Sequence, residues 1–219
     1  MFCGKYYQQI KGIPMGVNCG PILANLYLHY YEFEYINNMI KVHKDNIHYV
    51  RQFNGMYRFI DDLLVTNSSF HEKAREIYPH TLSLTRQNIN SDKESHFLDL
   101  DIKIINSRFV IKVYDKRDDF NFIINNFPHY SSNISMSIIK GVYISQLIRY
   151  ARICTNITDF HERHRYLSKR LINNGYDESV LRGNFKIFAR KNRDLLKKWN
   201  YHSTHNKTYI TRGIIERNR

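Results

Sequence analysis

The chain has 219 residues, 42% of them apolar, enough to bury a substantial core and too many for a disordered tail. Lys and Arg number 33 against 20 acids, a formal charge of +13 spread along the whole length, so a polyanionic partner is expected, nucleic acid ahead of a membrane surface. The three cysteines, Cys3, Cys19 and Cys154, are too far apart for a CxxC pair, no apolar run is long enough for a bilayer, and the N-terminus has no signal-peptide pattern, so a soluble, intracellular protein is expected.

A glycine-rich turn arrives before any full element has been laid down, which reads as a start in the middle of a domain. Residues 9–21 hold Gly12, Gly16 and Gly20 with Pro14 and Pro21, then give way to Ile22-Leu23-Ala24-Asn25-Leu26-Tyr27-Leu28, a helix with Pro21 in its first turn. Backbone approaches a ligand closely at Gly12 and Gly16, and amides at a helix start favour anions, so the loop suits a nucleotide or template backbone; a plain Gly-Pro turn is the competing reading. The helix is expected to run past Ile36 to Asn37-Asn38, with a polar connection beyond it.

Met56 to Thr66 places Asp61 and Asp62 between two β-prone apolar runs, the pattern of a hairpin with an acidic tip. Alternation along the strands assigns Tyr57, Phe59, Leu63 and Val65 to anchoring the hairpin, while the tip presents carboxylate oxygens to a hard cation such as Mg²⁺. An ordinary polar turn is the competing reading. A short helix closed by Pro79 follows, then strand-like runs over 80–85, 95–105 and 108–114, the last two joined by Asn106-Ser107. Along the second run the period of two sets Asp99 and Asp101 on one face, opposite Leu98, Leu100 and Ile102. Asp115 to Phe120 reads as a charged surface loop.

Residues 125–133, with Pro128 and Ser131-Ser132, mark the expected subdomain boundary. Three helices follow, over 137–154, 159–173 and 177–200, each with one apolar stripe, and they suggest a small basic bundle. Arg149, Arg152, Lys169, Arg170, Lys186 and Arg190 are its candidate phosphate contacts, with a solvated charged face as the alternative. His161 and His164, a spacing repeated by His202 and His205, make a poor zinc site without a nearby cysteine. Residues 201–219 read as a polar, basic tail.

Taken in order, Gln9-x-x-Gly12-Ile13-Pro14-Met15-Gly16, the helix with Leu26-Tyr27-Leu28, Arg58-Phe59-Ile60-Asp61-Asp62 and Phe97-Leu98-Asp99-Leu100 resemble the palm of reverse transcriptases. The runs Tyr114 to Phe122, Asn126-Phe127-Pro128 and Gly141 to Arg152 look most like those of Penelope-like retroelements. The resemblance implies an α+β fold: a partial polymerase palm, an antiparallel sheet with helices, over 1–133, followed by a helical thumb over 134–200. It implies RNA-directed DNA polymerase chemistry in which Asp61 ligates Mg²⁺ with Asp62 beside it, and Gln9, Met15 and Gly16 support nucleotide and template. The implied partners are an RNA template, a DNA primer or duplex, and nucleoside triphosphates, not a membrane; a nuclear location is possible by family.

Two-metal nucleotidyl transfer needs several carboxylate oxygens to offset the cations, and such sites normally take another Asp from a strand before the glycine loop. No acid precedes that loop here, so the chain by itself is expected to polymerise little or not at all. The alternative is a non-catalytic nucleic-acid-binding remnant of such an element.

Overall fold

Helix α1 (Gly20–Val42) begins where Pro21 occupies one of the first two helical positions, a site that needs no backbone N–H. Gly20 is buried there, and a Cβ on it would come within 3.2 Å of the Val17 side chain. This computed structural model describes residues 4, 6–10, 12–14, 16–44, 46–66, 73–86, 93–122, 124 and 126–199. The chain is α+β, helices with two small antiparallel sheets, and it divides into units of residues 1–87 and 88–219.

In the first unit α1 runs beyond Asn37-Asn38 to Val42, because Tyr35, Ile36 and Met39 continue the stripe that Leu28 and Tyr31 begin. That stripe packs around buried Phe53, Ile77 and Tyr78. Helix α2 (Ile47–Arg51) and a 3-10 turn (Gln52–Gly55) lead into strands β1 (Met56–Phe59) and β2 (Asp62–Val65), and α3 (Ala74–Ile77) follows. Residues 80–85, expected as a strand, form none: they are turns and irregular backbone.

In the second unit β3 (Glu94–Phe97), β4 (Leu100–Ile105) and β5 (Arg108–Val113) make an antiparallel meander. Asn106 and Ser107 both take positive φ (49° and 59°), the geometry that matches a tight hairpin to the strand twist. The expected continuous strand over 95–105 is instead broken by a second tight turn at Leu98-Asp99, with Leu98 at φ 55°. Asp99 and Asp101 therefore do not share a strand face. Asp99 sits in the turn, and Asp101 is buried in β4 beside His96 (3.3 Å) and Lys112 (3.4 Å).

Helices α4 (Met136–Ile153), α5 (Ile157–Asn173), α6 (Glu178–Lys191) and α7 (Arg193–Lys197) complete this unit. The last expected helix is split at Asn192, whose side-chain amide donates to the Phe188 carbonyl (3.0 Å) and competes with helical continuation. Val113 of β5 is buried with Ile139, Tyr143, Leu147, Phe185 and Phe188, and the backbone of Ile111 pairs with Thr155 between α4 and α5. The meander thus belongs to the helical core, and the boundary expected at 133/134 falls inside the second unit. No helix among the described residues is long and apolar enough to cross a membrane.

Candidate functional site

Strands β1 and β2 pair Met56 with Val65, Tyr57 with Leu64, Arg58 with Leu63 and Phe59 with Asp62, leaving Ile60-Asp61 as the two-residue turn. Paired residues share a face, so Met56, Arg58, Leu63 and Val65 point one way, and Tyr57, Phe59 and Asp62 the other. Met56, Leu63 and Val65 pack against the core, whereas Tyr57 and Phe59 are each 54% exposed. The expectation that those two aromatics anchor the hairpin is corrected: only one face meets the core, and the register puts them on its opposite.

The carboxylates of Asp61 and Asp62 are exposed at the tip and make no hydrogen bond or ion pair among the described residues. Ile60 sits at φ 55°, a left-handed conformation that costs a residue with a branched Cβ roughly 1–2 kcal/mol. Positive φ is what a two-residue hairpin turn asks of its central positions, and Leu98 takes the same value in the turn between β3 and β4.

The hairpin is held by a polar cluster on the inner face, which pattern reading missed. Arg58 donates from Nε to Glu32 Oε1 (2.5 Å), from Nη2 to Glu32 Oε2 (3.1 Å) and from Nη1 to Asn25 Oδ1 (2.6 Å). Tyr78 donates its hydroxyl to Glu32 Oε1 (2.7 Å). Burial opposes ionisation of Glu32, but the bonds from Arg58 and Tyr78 outweigh it and hold the carboxyl below its ordinary range. Burial, with the bond to Glu32, pushes the Tyr78 phenol up. The cluster ties the hairpin to α1 two residues before the turn. Its one sequence signal is an arginine at an inward β position, which demands an acid from another element.

Of the glycine-loop residues, Gln9 and Gly16 are exposed and Met15 lies outside the described residues. Gly12 and Gly16 both take φ 88°, a backbone conformation that favours glycine. The Asp61-Asp62 tip offers hard, unpaired oxygen donors, which fit a Mg²⁺ that keeps several waters. No group of three or more His, Cys, Asp or Glu side chains that could hold a metal ion gathers among the described residues.

In the second unit the six candidate phosphate contacts divide into two kinds. Arg149 is paired with Asp99 (2.8 Å), and Arg170 donates to the Ile124 carbonyl and lies over the Phe127 and Tyr166 rings, so both are engaged inside the unit. Arg152, Lys169, Lys186 and Arg190 are exposed and make no ion pair among the described residues. Helix α6 buries Leu181, Phe185 and Phe188, which turns Gly183, Lys186, Ile187 and Arg190 outward. A Cβ on Gly183 would meet nothing, so no packing explains a mid-helix glycine about 0.8–1 kcal/mol less favourable than alanine. Four residues, Asn174 to Asp177, join α5 to α6, with Gly175 at φ 83° and Asp177 capping α6 through the amides of Ser179 and Val180.

Residues 126–186 match the family model of an animal helix-turn-helix domain. The match covers α4, α5 and the first turns of α6, well under half of the chain, and is a similarity of that stretch alone. No curated protein and no solved structure matches the chain.

Of the two helical histidines, His164 belongs to the core. His164 is buried between the Phe160 and Phe185 rings, and its Nε2 lies 2.6 Å from the Tyr143 hydroxyl. Burial pushes its pKa down to about 3, so it is neutral in the folded chain. His202 and His205 lie outside the described residues.

Proposed function

We propose that this chain carries the acidic hairpin of an RNA-directed DNA polymerase of the Penelope-like retroelement kind, with a basic helical unit for the nucleic acid. One observation carries the reading: a two-residue turn, strained at Ile60, presents Asp61 and Asp62 unpaired and exposed while Arg58 and Glu32 fix its base to the helix that follows the glycine loop. An ordinary polar turn does not need the anchored arginine.

Asp61 and Asp62 are the residues that hold Mg²⁺, which when bound supplies positive charge for activating a primer 3′-hydroxyl and steadying a triphosphate. The chain's own contribution is positional. The Glu32-Arg58 cluster sets the angle of the hairpin, the faces of Tyr57 and Phe59 beside Asp62 offer stacking surface, and Gly12 and Gly16 let backbone approach the nucleotide or template. Two carboxylates are few for two cations, so the 219-residue chain by itself is expected to extend a primer poorly.

The test is Mn²⁺ binding followed by electron paramagnetic resonance, with a primer–template duplex and nucleoside triphosphate present. Weak, saturable binding that disappears in Asp61→Asn supports the reading; binding unchanged by Asp61→Asn and by Asp62→Asn overturns it. The second reading, a nucleic-acid-binding module without chemistry, is favoured by the helix-turn-helix similarity and the unpaired cations of the second unit. It predicts duplex binding that ignores both the metal and Asp61.

A further inference from the structure

We infer that α1 pairs with α1 of a second copy of this chain as a parallel, two-stranded coiled coil, through the seam Leu23, Leu26, Tyr30, Phe33, Asn37 and Ile40. The inference goes beyond the polymerase reading and does not rest on it, because it concerns the face of α1 that the hairpin does not use.

Spacing is the first observation. The six residues follow one another at intervals of three, four, three, four and three, the alternation that keeps one seam of a helix facing a partner helix along its length. The core of the first unit takes a different stripe, Leu28, Tyr31, Tyr35 and Met39, and Asn25 and Glu32 hold Arg58, so the seam is a second apolar face. A surface helix that meets one core needs only one such stripe. Exposure is the second observation. The five apolar seam residues, with Ile22 and Tyr27 beside them, are 41% to 63% exposed. Covering them takes on the order of 600 Å² from water per copy, about 1,200 Å² in all, the lower end of specific protein–protein interfaces. The seam is too short to hold two isolated peptides together, but α1 is already helical through its packing on Phe53, Ile77 and Tyr78, so association does not have to nucleate it.

Asn37 and the residues flanking the seam choose the occupant and its direction. A wholly apolar groove on another protein would leave the Asn37 amide without a partner. In a parallel pair the two copies meet in like layers, so each Asn37 faces the other and an amide N–H of one donates to the carbonyl oxygen of its mate, which also fixes register and strand number. An antiparallel pair would set Asn37 against Leu26 instead. Across a parallel interface the flanking residues meet five positions apart, which brings Ile22 to Tyr27, His29 to Glu34 and Ile36 to Lys41 of the second copy, with no two like charges facing. The patch is self-complementary, so the assembly closes at two copies.

The experiment is sedimentation velocity on the full, nuclease-treated chain from about 1 to 100 µM, the range in which an interface of this size dissociates. The expected result is a reversible monomer–dimer equilibrium. Leu26→Glu and Phe33→Glu should each weaken it about a hundredfold, while the helical circular dichroism stays that of wild type because both side chains are exposed. Direction is read by oxidation in a background of Cys3→Ser and Cys19→Ser. There Ile40→Cys is expected to form a disulfide between copies, and a mixture of Leu23→Cys and Ile40→Cys to give only the two self-linked dimers. A chain that stays monomeric at the highest concentration overturns the proposal and leaves the seam to a different protein. A dimer unchanged by both glutamate variants places the interface elsewhere and overturns it as well. A cross-link between Leu23→Cys and Ile40→Cys shows an antiparallel pair and overturns the parallel register.

Discussion

Glu32→Gln is the most informative single change in the first unit, because it keeps the side-chain shape and removes the charge on which the hairpin's base depends. The Glu32 side chain is 21% exposed and that of Arg58 13%, so the pair is sheltered from solvent without being fully buried. A glutamine keeps one acceptor oxygen for Arg58 or Tyr78 and leaves the guanidinium charge uncompensated. With net contributions of roughly 1.5–3 kcal/mol for a hydrogen bond to a charged group, the expected loss is about 2 kcal/mol of first-unit stability. A second signature comes from acid. Burial raises the Glu32 pKa, but the bonds from Arg58 and Tyr78 more than reverse this, so the folded chain takes up that proton later than the unfolded chain. The stabilisation is present above the unfolded carboxyl value, near pH 4.3, and is lost as pH falls through the depressed folded value. Hydrogen exchange of α1 and of residues 56–65, read against denaturant and pH, measures both effects. The only tryptophan, Trp199, packs in the second unit, and its fluorescence transition serves as an internal reference. A loss under about 0.5 kcal/mol, or an acid response the same in Glu32→Gln as in wild type, refutes the claim that this cluster holds the hairpin.

Ile60→Gly relieves the positive φ at the turn and should stabilise the first unit by roughly 0.5–1 kcal/mol in urea unfolding while loosening Mn²⁺ binding at the tip; a loss of stability contradicts the assignment of strain. Tyr143→Phe takes the 2.6 Å partner from buried His164 and should cost the second unit about 1–3 kcal/mol, measured by the Trp199 transition. His164 also predicts a pH response. The unfolded histidine protonates near pH 6.5 and the folded one only near 3, so stability falls as pH drops between those values, by up to about 1.4 kcal/mol per unit, and a flat Trp199-detected stability from pH 6 to 4 would contradict its burial in the neutral form.

Much of this architecture is legible in the residue order. Apolar runs on either side of Asp61-Asp62 predict the hairpin, Asn106-Ser107 the turn between β4 and β5, Asn174-Gly175 the end of α5, and Pro21 the start of α1. What failed had physical causes. Phe97-Leu98-Asp99-Leu100 alternates as a strand does, but it folds as a turn with leucine at φ 55°, a conformation that local propensity argues against. Apolar character alone does not say which face of a two-stranded ribbon is buried, so Tyr57 and Phe59 were expected inside, although Arg58 takes the inward position through Glu32. Composition changes at residues 125–133, whereas Val113 and Ile111 bind the meander to helices that begin more than 20 residues after it. Among the candidate phosphate contacts, Arg149 and Arg170 are as basic in sequence as Lys186 and Arg190, and only the partners brought by the fold separate them.

The central claim is that the Asp61-Asp62 tip holds the metal where a primer terminus is extended. Fe²⁺ substituted for Mg²⁺, with ascorbate and peroxide, generates hydroxyl radicals at the bound metal and cuts the nearest nucleotides of an end-labelled primer–template duplex. The account predicts cleavage confined to a few nucleotides around the primer 3′ end, absent in Asp61→Asn under conditions where that variant still binds the duplex. Cleavage spread evenly along the duplex, or a focused cut that persists in Asp61→Asn, would contradict it.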